Sequence, residues 1–172
     1  MRIGLIGTGK HGSRYARHII RDIPGLTLAA ISRRSAERTT QARQWSCRGY
    51  EDWRQLVKDE GVDAIIGVVP PALNSAIARA CVRVGKPLLL EKPLAASLAE
   101  AREIVSLCAE NKLPLTVGQT LRYNQVIGRF RKLLPELGDL YSFSANQRIE
   151  PSTLDWHEQP ELAGAGVSFH TA

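Results

Sequence analysis

Short apolar runs that alternate with helical patterns constrain this chain more than any other feature. The runs are "RIGLIG" (2–7), "LTLAAIS" (26–32), "VDAIIGVV" (62–69), "PLLL" (87–90) and "LPLTVG" (113–118). Each is apolar on both faces, as a strand covered from both sides must be. Between them, apolar residues recur at helical spacing. Gly12, Ala16, Ile19 and Ile20 form one stripe. Trp53, Leu56 and Val57 form a second, shorter one. Leu73, Ile77, Ala80, Cys81 and Val84 form a third, which stops at Gly85, a residue suited to a left-handed C-cap. Ala101, Ile104, Val105 and Cys108 form a fourth, preceded by the capping box Ser97-x-x-Glu100. Ser35 is expected to cap the helix that follows run 26–32. Strands of this kind alternating with helices predict an α/β, doubly wound parallel sheet of the Rossmann type over residues 1–120. In such a sheet, ligands sit at the carboxyl ends of the strands.

The pattern changes after residue 120. Residues 121–134 read as one helix, and "LYSFSANQRIE" (140–150) alternates as a half-exposed strand does. Residues 151–166 read as a loop. Leu140, Phe143 and Trp156 are expected to belong to a sheet whose other strands lie elsewhere. Residues 121–172 are therefore read as a connecting helix and the incomplete start of an α+β domain.

Composition narrows the class. The hydrophobic fraction of 44% is that of a globular protein. No apolar run approaches the roughly 20 residues that span a bilayer, and the N-terminal stretch is too short for a signal peptide. Cys47, Cys81 and Cys108 form no C-x-x-C pair. They read as free thiols in a reducing, cytoplasmic setting, with Cys81 and Cys108 as small core residues. The net charge of +6 is scattered, and no nucleic-acid motif accompanies it. The basic residues are read as solvated surface, or as local attraction for a phosphate-bearing small molecule. Neither a nucleic-acid nor a membrane partner is expected. His11, His18 and His157 show no ligand spacing, so no metal site is expected.

Gly7-Thr8-Gly9-Lys10-His11-Gly12 is a G-x-G-x-x-G sequence that follows a strand and opens a helix, the context that a dinucleotide fingerprint requires. Gly7 allows the tight turn, Gly9 lets a pyrophosphate approach the backbone, and Gly12 lets helix and strand pack closely. A glycine turn without a ligand is the competing reading. Run 26–32 ends at Ser32-Arg33-Arg34, where an NAD-binding chain would carry a carboxylate for the ribose 2′-hydroxyl. A hydroxyl and two guanidinium groups suit a 2′-phosphate instead. NADP is therefore the expected cofactor, with NAD as the alternative. Surface charge alone is the competing reading of the arginines.

Glu91-Lys92-Pro93 follows the run "PLLL" directly, at the ligand edge. A lysine here projects beside the nicotinamide, where it can bind a substrate oxygen and take part in proton transfer. Burial would favour its neutral form and so help that role. Glu91 either positions the lysine or contacts the cofactor ribose. Pro93 fixes the backbone, with a cis bond as one option. A plain ion pair at a strand end is the alternative.

These segments, "GLIGTGKHG", "VDAIIGVVPPALNSAIARACVRVGKPLLLEKPLA", "VGQTLRYN" and "PELAGAGVSFH", resemble the Gfo/Idh/MocA oxidoreductases, named for glucose–fructose oxidoreductase and inositol dehydrogenase. The resemblance runs the length of the chain. It implies an NAD(P)-dependent dehydrogenase acting on a sugar, cyclitol or related polyol, with Lys92 as the catalytic and substrate-binding residue. It implies that Gln119 contributes at the nicotinamide, and Arg122 and Tyr123 at the substrate, although interdomain packing would also explain those two. Family members often carry Thr-Pro and, four positions beyond the proline, a histidine; here these positions read Val69-Pro70 and Asn74. A backbone contact at Pro70 would survive that change and the histidine's would not; Val69, Pro70 and Asn74 are still expected on the cofactor side. After Gly164-Ala165-Gly166 the family's aspartate position holds His170, a candidate substrate contact, and the family's later histidine would fall past Ala172. The resemblance further implies a continuing substrate domain with subunit contacts, and hence a homo-oligomer. The 172 residues alone are expected to bind NADP(H) without measurable polyol oxidation. A nucleotide-binding or regulatory protein that kept the fold is the alternative of a different class, and a basic nucleic-acid-binding protein is a third.

Overall fold

The structure, a computed structural model, describes residues 1–142 together with Ser144 and Gln159. Its strands are β1 (Arg2–Ile6), β2 (Thr27–Ser32), β3 (Arg48–Tyr50), β4 (Ala64–Gly67), β5 (Leu88–Leu90) and β6 (Leu115–Val117). They form one all-parallel sheet in the order β3-β2-β1-β4-β5-β6. The helices are α1 (Gly12–Arg21), α2 (Glu37–Gln44), α3 (Trp53–Lys58), α4 (Asn74–Val84), α5 (Leu98–Glu110) and α6 (Gln125–Leu133). The chain lays down β1, β2 and β3 outward in one direction, then returns to place β4 on the other side of β1. A crevice must open where the order reverses, between the carboxyl ends of β1 and β4.

Alternation along the strands, broken in β2 where the pairing with β1 shifts register between Leu28 and Ala30, divides the core into two layers. Ile3, Leu5, Leu28, Ile31, Ala64 and Ile66 face one side, where Ala16 and Ile19 of α1 and Ala42 of α2 cover them. Ile6, Ala30, Ile65, Leu88 and Leu90 face the other, under Leu56 and Val57 of α3, Ile77 and Cys81 of α4, and Ile104 and Cys108 of α5. Cys81 and Cys108 are buried free thiols, as expected, and burial first, then Cys108, pushes the Cys81 thiol up to about 12. Among the described residues, no helix is long and apolar enough to cross a membrane.

Several expectations need correction. β3 was not among the apolar runs: it is three residues long, and only Tyr50 of "RGY" is even partly buried. Ile20, Leu73, Val84 and Val105 lie exposed, because each helical stripe is narrower than its apolar residues. Ser35 does not cap α2; its hydroxyl accepts from Arg33 Nε at 2.7 Å, and Ala36 occupies the cap position. The helix expected over 121–134 begins at Gln125, after a 3-10 turn at Thr120–Tyr123. Asn124 forces that boundary, its side chain accepting from the backbone N–H groups of Val126 and Ile127. Gly85 (φ 69°) and Ser97, which accepts from the Glu100 N–H at 3.2 Å, end and start helices as expected. Phe143, Trp156, His157, His170 and residues 145–150 of the expected strand lie outside the described residues.

Candidate functional site

Because every strand is parallel, the segments after β1, β2, β4, β5 and β6 meet at one edge of the sheet. Gly7 has φ +86°, and an added Cβ would lie 2.1 Å from the Val68 carbonyl oxygen. A Cβ on Gly12 would lie 1.9 Å from the Gly7 carbonyl oxygen. Both positions therefore require glycine for the turn and for the seating of α1 on β1 and β4. Gly9 is different: among the described residues nothing lies within 4 Å of its added Cβ. The backbone there is bare at the start of a helix, beside the exposed Lys10 and His11. A loop that is sterically closed at its two ends and open in the middle fits the diphosphate of a dinucleotide.

Thr8 is fully buried, and its carbonyl is a hub. It accepts from Arg33 NH1 at 2.9 Å, from Gln41 Nε2 at 3.1 Å and from Ser13 Oγ at 3.1 Å. Thr8 Oγ1 in turn donates to Gln41 Oε1. Ser32 is buried, and its carbonyl accepts from the Gly7 N–H at 2.9 Å. The turn after β2 is thus tied to the glycine loop by backbone and side chain together. Arg34 is exposed.

Glu91 is 6% exposed at the end of β5. Its Oε1 accepts from the Tyr15 hydroxyl at 2.6 Å and bonds His11 Nε2 at 2.9 Å, while its Oε2 accepts from the Lys92 backbone N–H at 2.8 Å. Burial works to raise the carboxyl pKa, but the hydrogen bonds from His11 and Tyr15, the His11 charge and the Lys92 N–H outweigh it and hold Glu91 below its ordinary value. Burial first, then the Glu91 bond and charge, push the Tyr15 phenol well above its ordinary value. Gly118, after β6, lies against the same carboxylate: an added Cβ would come within 3.1 Å of it.

Lys92 itself is exposed, where burial was expected. The Lys92–Pro93 peptide is cis. Asn74 is 1% exposed and donates from Nδ2 to the carbonyls of Pro93 at 3.3 Å and Leu94 at 3.0 Å. It braces the segment after Lys92 from beneath. Val69 and Pro70 follow β4, half-buried at the crevice. Gln119 is half-buried after β6, and Arg122 and Tyr123 are exposed on the turn that follows it.

Tyr15 and Gln41 join the site without having been singled out from the sequence. Tyr15 carried a signal, since it lies four residues after His11 and shares its face of α1. Gln41 carried none: its partner lies 33 residues away.

Comparison with known proteins bears on the fold and the family. The model of the Gfo/Idh/MocA oxidoreductase family, with an NAD-binding Rossmann fold, matches residues 1–119. Inositol 2-dehydrogenase 1 of Saccharopolyspora erythraea is 35% identical over 62% of this chain and 32% of its own length. An uncharacterized oxidoreductase of Escherichia coli, YdgJ, is 28% identical over 100% of this chain and 50% of its own. The scyllo-inositol dehydrogenase of Lactobacillus casei, solved with NAD(H) and scyllo-inositol, shares the fold with a TM-score of 0.75 at 22% identity, over 81% of this chain and 42% of that one. The chain spans about half the length, or less, of the relatives it matches. On the glycine loop, the strand order and the match over residues 1–119, the chain belongs to the Gfo/Idh/MocA oxidoreductase family.

Proposed function

We propose that the chain is the cofactor-binding part of an NAD(P)-dependent dehydrogenase acting on a sugar, cyclitol or related polyol, with NADP preferred over NAD. The observation that carries this reading is the Glu91 carboxylate. It joins the helix of the glycine loop, through His11 and Tyr15, to the backbone of Lys92. The candidate proton-handling residue is thereby fixed relative to the loop that would hold the cofactor's diphosphate. When bound, the nicotinamide supplies hydride exchange with a carbinol carbon of the substrate. Gly9, Lys10 and His11 hold the diphosphate on a loop shaped by Gly7, Thr8 and Gly12, the segments Ser32–Arg34 and Val69–Pro70 hold the adenosine side, and Glu91 and Gln119 flank the nicotinamide side. Lys92 Nζ binds the substrate oxygen and moves its proton, and Arg122 and Tyr123 contact the substrate. The inositol dehydrogenases among its relatives support a cyclitol or sugar as the substrate class.

Lys92→Met should leave the affinity for NADPH nearly unchanged and lower turnover of a polyol panel by about 10²–10⁴-fold, the usual worth of general acid–base assistance. The assay follows NADPH formation by absorbance in the encoded protein, with fluorescence titration of the cofactor alongside. A variant that binds NADPH and turns over normally would remove Lys92 from the mechanism.

A further inference from the structure

Three guanidinium groups, Arg33, Arg34 and Arg38, and two carboxylates, Glu37 and Glu51, lie in or against the turn after β2, and they are not equivalent. Arg33 is engaged in three directions. Its NH1 donates to the Thr8 carbonyl at 2.9 Å, its Nε to Ser35 Oγ at 2.7 Å, and its NH2 pairs with Glu37, one helical turn further along the chain. Arg38 is engaged in two, donating from NH1 to the Arg33 carbonyl at 3.0 Å and facing Glu51 at 3.4 Å. Arg34 is exposed and has no hydrogen-bond or ion-pair partner among the described residues. Glu37 is 65% exposed. It is thus an accessible negative charge at the strand end that fixes cofactor choice in this fold.

We propose that Arg34 reads the ribose 2′ position, that Arg33 is a brace between this turn and the glycine loop, and that Glu37 sets the cofactor ratio by opposing a 2′-phosphate. The inference rests on the NADP reading above. Arg33 cannot swing fully onto a phosphate without releasing the Thr8 carbonyl and with it one tie of the glycine loop. The Glu37 carboxylate neutralises Arg33 and repels a dianionic phosphate brought to the same turn, whereas a neutral 2′-hydroxyl is indifferent to that charge. Arg34 is the guanidinium that can turn to the phosphate without breaking a bond already made, and the fork geometry of arginine suits that group.

The test uses the 172-residue protein and titrates NADPH, NADH, adenosine 2′,5′-bisphosphate and 5′-AMP by fluorescence and calorimetry. Glu37→Gln should tighten the two 2′-phosphorylated probes by roughly two- to fivefold, as befits an exposed charge. NADH and 5′-AMP should be unchanged, which also reports an intact fold. Arg34→Ala should weaken the phosphorylated probes by roughly ten- to hundredfold and spare the others. Arg33→Ala should weaken all four, because the brace is shared. Three results overturn the inference: Glu37→Gln weakens NADH, which makes Glu37 an acceptor for the 2′-hydroxyl; the NADPH to NADH ratio does not respond to Glu37; or Arg33→Ala alone abolishes the discrimination. A wild-type preference for NADH with the Glu37 response intact overturns the NADP reading and leaves the inference standing. Failure of the wild type to bind any probe overturns both.

Discussion

At the scale of single residues, the chemistry of the site was legible but its wiring was not. The glycine spacing shows where a loop must turn and where it must stay bare, and Gly7, Gly9 and Gly12 take those parts. The spacing could not show that His11 and Glu91, 80 positions apart, share a hydrogen bond, or that Glu91 lies against Gly118. Such pairings are made by the sheet and leave no local pattern. The Glu91 cluster has a consequence for acid stability. Its carboxyl is held below its ordinary value of 4.5, so its hydrogen bonds favour the folded state fully above that value. The contribution is lost as pH falls through the lower, folded-state value. Glu91→Gln should therefore be less stable than wild type at neutral pH, and the gap should close as pH drops below about 4.5. Urea midpoints for both proteins across that window are the check. The difference between the two curves is what counts, because Asp63, held down to about 2 by its bonds to Arg2, also weakens the wild type in acid. A gap that stays constant with pH would mean that the Glu91 bonds do not distinguish its charged form. Tyr15→Phe removes one donor from the same carboxylate and should cost about 1 kcal/mol at neutral pH.

At the scale of elements, what the sequence showed depended on how much apolar surface each element buries. β1, β2, β4 and β5 are dense apolar runs and were read directly. β3 pairs with β2 over three residues at the sheet edge, where its side chains need not be apolar, so no period marked it. Helix ends were legible where the cap is intrinsic, as at Gly85 and Ser97. They were misread where a candidate cap has another partner or an unexpected residue caps: Ser35 serves Arg33, and Asn124 takes the start of α6. Gly85 offers a direct measure of such a cap. It holds φ at 69°, and space around it is open, so an alanine there would meet no clash beyond its own backbone. Gly85→Ala should cost about 1 kcal/mol, through the left-handed conformation alone, with cofactor affinity unchanged. Thermal and urea denaturation with an NADPH titration would check it. A loss several times larger would mean that the Gly85 N–H bond to Val82 and the Lys86 N–H bond to Cys81 fail together with the cap.

At the scale of the whole molecule, apart from residues such as Ile20 and Val105 that lie exposed on α1 and α5, two groups of apolar residues have different duties. The first lies in the two layers against the sheet, where Ile77 and Leu90 are fully buried. The second lies beyond β6. No residue of α6 is buried, and Val126, Phe130 and, past the helix, Leu137 and Tyr141 are exposed. The hydrophobic effect stabilises a fold only through surface it removes from water, so the second population contributes little to the stability of the parallel sheet. Sequence hydropathy alone treats the two alike, which is why residues 121–134 could be read as a helix without any sign of what they would leave bare. The expected asymmetry is large. Ile77→Ala should cost about 2–5 kcal/mol, since it opens a cavity between α4 and the sheet. Phe130→Ser should change stability by less than about 0.5 kcal/mol, as exposed positions usually do. Urea denaturation of the two variants beside the wild type, followed by tryptophan fluorescence and circular dichroism, makes the comparison. If Phe130→Ser cost as much as Ile77→Ala, α6 would have to be packed against the first layers in solution, and the cooperative unit would extend past β6 to include it.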